Sequence, residues 1–296
     1  MYQISGSALW HWRSRSRQQA IAHQVSPDEV DWVLLRVSDL DRLALRLGTV
    51  QTRTTVSLGM PLAELDQRWQ HRLRDRSPIQ YVTGKAPWRE FDLVVSPAVL
   101  IPRPETEQLI DLALLATRDP ASLQRGHWAD LGTGSGAIAL GLASAFPQAH
   151  IHAVDASQDA LAIAQQNAQR YAQKKAQPIQ FHQGSWFEPL QEVNGQLCGV
   201  VSNPPYIPTA SLKGLSPEVR HDPSLALDGG KDGLDAIRTL VADAPDYLVS
   251  GGVWLVETMM GQPPAVVELL RKGPYRDIQV FTDLAGIDRF VMARRS

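Results

Sequence analysis

The spacing of apolar residues differs between the two ends of the chain, and the first pattern is helical. Two sets of apolar residues recur at intervals of three and four positions: Val30, Val33, Leu34 and Val37, then Leu62, Leu65, Trp69 and Leu73. This spacing places each set on one face of an amphipathic helix. Another helix is predicted over Leu40–Leu47, because Gly48 follows as a stop signal. We therefore predict a small helical domain over residues 1–85.

After His127 short apolar runs alternate with longer amphipathic segments, which is typical of a parallel sheet wrapped by helices. Strands are predicted near 127–131, 150–155, 179–183, 197–202, 252–257, 278–282 and 288–293. Helices are predicted near 105–117, 136–146, 158–175, 233–248 and 263–271. The last two strands flank Gly286, so one of them is expected to run antiparallel. The pattern predicts an α/β domain over residues 105–296, and residues 207–232 contain no clear element.

A short β-rich segment connects these two regions. Phe91–Val95 and Ala98–Ile101 read as strands on either side of Ser96-Pro97, which predicts a β-hairpin linker over residues 86–104. The segment that follows is Pro102-Arg103-Pro104-Glu105-Thr106-Glu107, in which two prolines precede a predicted helix. Here Arg103 and Glu107 form either a structural ion pair or part of a ligand site.

Composition narrows the function classes. The 296 residues are 44% apolar and 20% charged, which is normal for a globular protein. The chain has no apolar run of membrane-spanning length, and its N-terminus lacks the apolar core of a signal peptide. A single cysteine, Cys198, cannot form an internal disulfide and is expected to be buried and inert in a reducing cytoplasm. The histidines lack metal-ligand spacing, so no metal is expected.

Charge is unevenly divided. Residues 1–85 carry 12 basic and 8 acidic side chains, whereas the remainder carries 17 basic and 23 acidic. The predicted helix after Pro61 holds a cluster of arginines: Arg68, Arg72, Arg74 and Arg76. They read first as a solvated face, and alternatively as a contact surface for an acidic partner or RNA.

A glycine-rich turn follows the first strand of the α/β region. It runs Asp130-Leu131-Gly132-Thr133-Gly134-Ser135-Gly136, and Asp155 ends the next strand. Glycines allow a ligand to touch the backbone at a helix N-terminus, and the acid can bind two ribose hydroxyls. The glycine spacing is one residue tighter than the dinucleotide fingerprint, which favours S-adenosylmethionine. Trp186, after the third strand, is a candidate adenine wall or a rim aromatic that covers the sheet end.

The fourth strand ends in a rigid turn, Asn203-Pro204-Pro205-Tyr206. Prolines cannot extend a β-ladder, so the chain leaves the sheet at Asn203. The Asn203 side-chain oxygen and the Pro204 carbonyl can accept both N–H groups of a planar –NH2 and orient its nitrogen, while Tyr206 packs against the flat group. The alternative is a plain β-turn, since Asn-Pro favours turns.

These segments resemble the HemK/PrmC protein-glutamine methyltransferases, which modify the GGQ glutamine of peptide-chain release factors. The matching segments are residues 78–84, 99–107, 130–136, 203–206 and 226–235. The resemblance implies a Rossmann-like, seven-stranded class I S-adenosylmethionine-dependent methyltransferase domain behind a helical substrate-recognition domain and a hairpin linker. It implies that Gly132 to Gly136, Asp155, Trp186 and Asn203 contact S-adenosylmethionine, and that Asn203 to Tyr206 hold the substrate glutamine.

The chain departs from this family pattern at four positions. Arg89 and Met259 stand where glycine is usual, Ser185 where aspartate is common, and Asp222 where glutamate is usual. None of the four lies in the Asn203 corner.

Two rival functions use the same residues. A nucleic-acid methyltransferase acting on the exocyclic amine of adenine would also need the Asn203 corner, but the acidic α/β region and the lack of a basic target-reading domain argue against direct nucleic-acid binding. A module that senses the cofactor without chemistry would not need Asn203-Pro204-Pro205-Tyr206. The sequence leaves open which release factor is preferred and what the oligomeric state is.

Overall fold

A computed structural model describes residues 1–172 and 178–296. It divides into two compact units. The first unit comprises Met1–Lys85 together with Ser216–His221, and the second comprises Ala86–Leu215 together with Asp222–Ser296.

The first unit is mainly helical. Its elements are β1 (Tyr2–Ile4), α1 (Gly6–Ala22), α2 (Asp28–Val37), α3 (Arg42–Leu47), β2 (Val56–Leu58), α4 (Leu62–Asp75) and α5 (Ile79–Thr83). The apolar faces of α2 and α4 meet Leu9 and Trp12 of α1 in one core, and β1 pairs with β2 antiparallel. The sequence pattern missed α1, because Arg, Ser and Gln separate its few apolar positions.

The arginines of α4 are not all solvated, which corrects the first interpretation of this cluster. Arg72 is only 6% exposed. Its guanidinium makes two bonds to Glu29, at 2.8 and 2.9 Å, and one to Glu218 at 3.1 Å. Arg76 also binds Glu218. A buried and paired guanidinium is structural, so Arg72 cannot contribute to an open contact surface.

The segment predicted as a linker contains a hairpin in which only one of the two predicted strands is present. Its strands are β3 (Lys85–Trp88) and β4 (Phe91–Val94), whereas Ala98–Ile101 forms no strand. The turn lies at Arg89, which adopts a left-handed φ of +48°. This backbone conformation explains why glycine suits the position. In compensation, the Arg89 guanidinium binds Asp111 and the carbonyl of Glu107.

The second unit is built on a seven-stranded sheet. Its strands are β5 (His127–Leu131), β6 (His150–Asp155), β7 (Gln180–Gln183), β8 (Leu197–Ser202), β9 (Leu248–Glu257), β10 (Tyr275–Thr282) and β11 (Asp288–Arg295). The spatial order is β10-β11-β9-β8-β5-β6-β7. Strand β11 is antiparallel to both β9 and β10, and the other described pairings are parallel. The predicted sheet and its one antiparallel strand are confirmed.

Helices cover both faces of this sheet. They are α6 (Gln108–Ala116), α7 (Ala137–Ala145), α8 (Gln158–Tyr171), α9 (Asp235–Tyr247) and α10 (Pro263–Arg271). Two apolar clusters fill the layers, one with α6 and α7 and the other with α9 and α10. The predicted end of the third of these helices, over residues 173–175, lies outside the described residues. Residues 207–232 contain short 3₁₀ turns at Thr209–Gly214, Val219–His221 and Ser224–Ala226.

Candidate active site

The glycine loop and the Asn203 corner meet at one edge of the sheet. Strands β5 and β8 are parallel neighbours at its centre, and β6 pairs with β5 on the other side. The connection after β5 therefore leads to β6 on one side of it, whereas the connection after β8 leads to β9 on the other side. Open α/β sheets bind ligands at such a switch point, beyond the carboxyl ends of the strands. The Ser202 hydroxyl, which donates to the Leu131 carbonyl at 2.6 Å, ties the two strand ends together.

A cavity of about 360 Å³ opens at this edge. Six of the residues singled out from the sequence line it: Gly132, Gly134, Asp155, Trp186, Asn203 and Pro205. Its remaining wall includes Ala98 to Leu100 and Pro223, Leu225 and Ala226. These wall residues were not predicted, since neither segment carries a polar group that indicates a ligand.

The rest of the predicted loop turns away from the cavity. The Thr133 hydroxyl donates to Asp130 at 2.6 Å, and the Ser135 carbonyl accepts the Asn167 side-chain N–H at 2.9 Å. Gly136 packs on α8, where a Cβ would come within 3.1 Å of Ala164. These three residues shape the loop without lining the cavity, so a direct contact with a ligand remains a prediction for them.

Asp155 is held by the backbone. Its two carboxylate oxygens accept the N–H groups of Gly134 at 2.8 Å and Ser157 at 2.9 Å. Burial raises the pKa of Asp155 against the effect of these two bonds. Each oxygen keeps lone pairs that can accept a hydroxyl, because a carboxylate has about four acceptor sites. This arrangement fits a ribose.

Trp186 forms one wall of the cavity. It adopts a left-handed φ of +50°, which costs a non-glycine residue roughly 1–3 kcal/mol and is typical of functional sites. A Cβ at Gly132 would lie 3.7 Å from the Trp186 ring, and a Cβ at Gly134 would meet no protein atom within 4 Å. The glycines thus leave space beside an aromatic wall, and a flat nucleoside fits these residues.

The Asn203 corner is anchored by two buried side chains. The Asn203 Nδ2 donates to the Thr106 hydroxyl at 3.3 Å, and the Tyr206 hydroxyl donates to Glu257 at 3.2 Å. Pro204 is buried and Pro205 lines the cavity. Burial, reinforced by the nearby Glu257 charge, raises the pKa of Tyr206, so its phenol stays protonated.

Glu257 ends strand β9 next to this corner. It is 2% exposed, and burial raises its pKa to about 6 even though Thr106 and Tyr206 donate to it. Perturbed carboxylates of this kind cluster at functional sites. The sequence alone assigns Glu257 no role, because its segment differs from the family pattern at Met259 and carries no other signal.

Two further features support the backbone of the corner. Gln262 donates its side-chain N–H to the Tyr206 carbonyl at 2.9 Å. A Cβ at Gly229 or Gly233 would come within 2.8 or 2.3 Å of Tyr206 backbone atoms. The glycine-rich segment after Leu227 matches the family pattern, and its close approach to Tyr206 explains two of its glycines.

Arg103 pairs with Asp222, and not with Glu107 as one interpretation of the sequence held. The Asp222 side chain is fully buried and also accepts the backbone N–H of Ile101 at 3.4 Å. Asp222 directly precedes Pro223 of the cavity wall. The Arg103–Asp222 pair therefore anchors this wall from both of its ends.

Three further expectations concern the reactivity of Cys198, a metal site and membrane-spanning helices. Burial raises the pKa of the Cys198 thiol and disfavours the reactive thiolate. Within residues 1–172 and 178–296, no group of three or more His, Cys, Asp or Glu side chains is arranged to hold a metal ion. None of the helices in these ranges is long and apolar enough to cross a membrane.

Comparison with known proteins identifies relatives over nearly the whole chain. The family model of the methyltransferase small domain matches residues 110–213. A release factor glutamine methyltransferase of Synechocystis is 50% identical over 98% of this chain and 97% of its own length. Another protein of that name, from Thermosynechococcus vestitus, is 45% identical over 98% of this chain and 99% of its own length.

Solved structures agree in fold. The hMettl16 catalytic domain, in complex with a 3′UTR hairpin, matches with a TM-score of 0.54 at 14% identity and covers 88% of each chain. The Thermus thermophilus 16S rRNA N2 G1207 methyltransferase, in complex with AdoMet and guanosine, matches with a TM-score of 0.50 at 20% identity, over 72% of this chain and 50% of the other. At these identities the likeness extends to the fold alone.

Proposed function

The chain belongs to the family of release factor glutamine methyltransferases, and we propose that its Asn203-Pro204-Pro205-Tyr206 corner carries out that chemistry. The enzyme transfers a methyl group from S-adenosylmethionine to the side-chain amide nitrogen of a release-factor glutamine. The finer proposal is that this glutamine belongs to the GGQ motif.

The cofactor site is proposed at the glycine loop. Gly132 and Gly134 leave space for the ligand, Asp155 accepts ribose hydroxyls, and Trp186 stacks beside the adenine. S-adenosylmethionine, when bound, supplies a methyl group activated by the adjacent positive sulfur. No nucleophilic side chain or metal is then required of the protein, and its own task is to orient the acceptor.

Asn203 and Pro204 supply that orientation. An amide –NH2 is a poor nucleophile, because its lone pair is delocalised into the carbonyl. The Asn203 Oδ1 and the Pro204 carbonyl accept its two N–H groups and direct the nitrogen lone pair into the cavity, with Tyr206 beside the flat amide. With S-adenosylmethionine bound, the methyl group would pass to this nitrogen as its bond to sulfur breaks, leaving S-adenosylhomocysteine, and the nitrogen would then lose one proton to water.

One observation carries this proposal: Asn203 and Asp155, which lie 48 positions apart in the sequence, line the same cavity. A ribose acceptor and an amide-orienting corner that share one space suit transfer between two bound substrates. A plain β-turn would not require that placement.

The domain roles and the setting are also proposed. Residues 1–85 act as the helical substrate-recognition domain, 86–104 as the linker and 105–296 as the methyltransferase domain. A cytoplasmic location, the absence of a metal and the absence of direct nucleic-acid binding remain predictions that rest on the sequence.

Mass spectrometry tests the function. Purified release factor is incubated with the enzyme and S-adenosylmethionine, then digested and sequenced by fragmentation. We expect one added methyl group on the GGQ glutamine side chain. A release factor that stays unmodified, with methylation of DNA or RNA in a parallel reaction, would favour the adenine-directed alternative.

A further inference from the structure

A chain of three hydrogen bonds ends at the buried carboxylate of Glu257. The Asn203 Nδ2 donates to Thr106 Oγ1 at 3.3 Å, Thr106 Oγ1 donates to Glu257 Oε2 at 2.6 Å, and the Tyr206 hydroxyl donates to Glu257 Oε1 at 3.2 Å. Thr106 is 4% exposed and Glu257 2% exposed. The Thr106–Glu257 bond is thus shielded from water, which makes it stronger and its loss more costly.

The direction of this chain follows from the chemistry of its members. An ionised carboxylate can only accept hydrogen bonds, and a threonine hydroxyl has one proton to donate. The short bond to Glu257 commits the Thr106 proton, so Thr106 can only accept from Asn203. The Nδ2 end of the Asn203 amide must therefore face Thr106.

The other end of the same amide is then free for the substrate. With Nδ2 held by Thr106, the acceptor Oδ1 is the end that remains to receive an N–H group. The reversed amide would present a donor to the donor –NH2 of glutamine and would repel it. Thr106 and Glu257, which lie outside the corner, therefore determine which end of the Asn203 amide faces the substrate.

We propose that Thr106 and Glu257 are positioning residues for methyl transfer, which fix the Asn203 amide with its oxygen toward the substrate glutamine. This inference rests on the proposed function of the Asn203 corner. Glu257 also accepts a hydrogen bond from the Tyr206 hydroxyl. It therefore supports both ends of the corner, Asn203 through Thr106 and Tyr206 directly.

The location of the two residues supports this role. Thr106 belongs to the 3₁₀ turn Glu105–Glu107 that leads into α6, and Glu257 is the last residue of β9. Strand β9 pairs with β8 in parallel, and Ser202 is opposite Val256. The turn before α6 and the end of a central strand therefore carry the groups that orient Asn203.

The test is a double-mutant cycle measured by single-turnover methylation of release factor at saturating S-adenosylmethionine. Thr106→Val removes the hydroxyl and keeps the shape, and Thr106→Ser restores the hydroxyl. Thr117→Val is the matched control, because Thr117 is a fully buried threonine at the end of α6 and its hydroxyl donates to the backbone carbonyl of Ala113. Each threonine variant is also combined with Asn203→Ala.

The expected result is specific to orientation. Thr106→Val should slow methyl transfer by at least about tenfold, Thr106→Ser should recover the rate to within about threefold, and Thr117→Val should leave it unchanged. In the Asn203→Ala background Thr106→Val should have no further effect on the rate. The effects of two substitutions are not additive when both remove the same contact. Should Thr106→Val fail to fold, Glu257→Gln is measured in the same cycle with the same expectation.

Three outcomes would overturn the inference. If Thr106→Val methylates as fast as Thr117→Val, the hydroxyl does not position Asn203. If Thr106→Val slows the reaction equally with and without Asn203, it acts by another route. If the wild type itself does not methylate release factor, the proposed function fails first, and this is recognisable because every variant is then silent.

The pH profile provides an independent readout. Glu257 is faced by Thr106, Tyr206, Arg289 and Glu105, and the pKa of Glu257 is raised to about 6 by burial. A protonated Glu257 can itself donate to Thr106, so Thr106 is no longer restricted to accepting from Asn203. The wild-type rate should therefore decrease as the pH is lowered below about 6. Glu257→Gln should lose this acid limb, and a variant that keeps it would contradict the role of Glu257.

Discussion

The carboxylate of Asp155 accepts the backbone N–H of Gly134 at 2.8 Å. This bond joins the acid at the end of β6 to the glycine loop that follows β5. The loop geometry is therefore set by the protein itself. Preorganisation of this kind lowers the cost of binding, because less ordering remains when the ligand arrives.

Replacement of Asp155 tests the cofactor half of the site. Asp155→Asn keeps the size but loses acceptor capacity, so we expect the dissociation constant for S-adenosylmethionine to rise about tenfold. The rate at saturating cofactor should change much less. Isothermal titration calorimetry measures the affinity, and Asp246→Asn on the exposed side of α9 is the control. An unchanged affinity for Asp155→Asn would remove Asp155 from the ribose site.

Trp186 allows the aromatic wall and backbone strain to be separated. Both Trp186→Ala and Trp186→Gly remove the ring, and both should weaken cofactor binding by a similar factor. Glycine accepts the φ of +50° without strain, whereas alanine does not. The free energy of unfolding of Trp186→Gly should therefore be about 1 kcal/mol higher than that of Trp186→Ala. Urea denaturation measures the difference. Equal stability of the two variants would mean that the left-handed backbone carries no cost.

The buried guanidinium of Arg72 predicts a stability effect. Arg72→Met leaves Glu29 and Glu218 without the cation that they share. We expect the free energy of unfolding to fall by about 2 kcal/mol. This loss is smaller than for a fully buried pair, because both glutamates are partly exposed. Arg74→Met, on the exposed side of the same helix, should cost under about 0.5 kcal/mol. Similar losses for the two variants in urea would contradict the structural role of Arg72.

His152 predicts how stability changes with pH. It lies between His127 at 2.9 Å and His182 at 3.1 Å, and burial with these neighbours lowers its pKa from 6.5 to about 4. Between these values the unfolded chain binds the extra proton, so stability falls as pH falls from about 6.5 to 4.

The size of this effect can be measured by urea denaturation. Near pH 5 the contribution of His152 should be about 2 kcal/mol of destabilisation relative to pH 8. His152→Gln should reduce the acid loss by that amount, whereas exposed His11→Gln should not. A variant at His152 with the wild-type pH dependence would place the acid sensitivity elsewhere.

The α/β core was predictable from the sequence because its signals are local. The apolar runs of β5, β6 and β8 and the glycines and prolines around them predicted these three strands at their observed bounds. The hairpin was misplaced, since Ala98–Ile101 is as apolar as a strand but is an irregular segment, of which Ala98 to Leu100 line the cavity. Its true turn rests on Arg89, which carries no turn signal although its backbone is left-handed.

The support of the active site could not be predicted in the same way. Thr106 and Glu257 are separated by 151 positions in the sequence, and nothing in either segment indicates that the two side chains meet. Their bond exists only because β9 pairs with β8 and the turn before α6 approaches the end of β9. Residues that act through a third residue are recognised from tertiary contacts, whereas Asn203 was evident from its neighbouring prolines.

The most direct test of the central claim is the single-turnover rate of Asn203→Ala on release factor at saturating S-adenosylmethionine. If the Asn203 oxygen orients the glutamine amide, methyl transfer should fall by at least about a hundredfold while circular dichroism and the thermal midpoint stay close to wild type. A folded Asn203→Ala enzyme that methylates release factor at the wild-type rate would contradict the account.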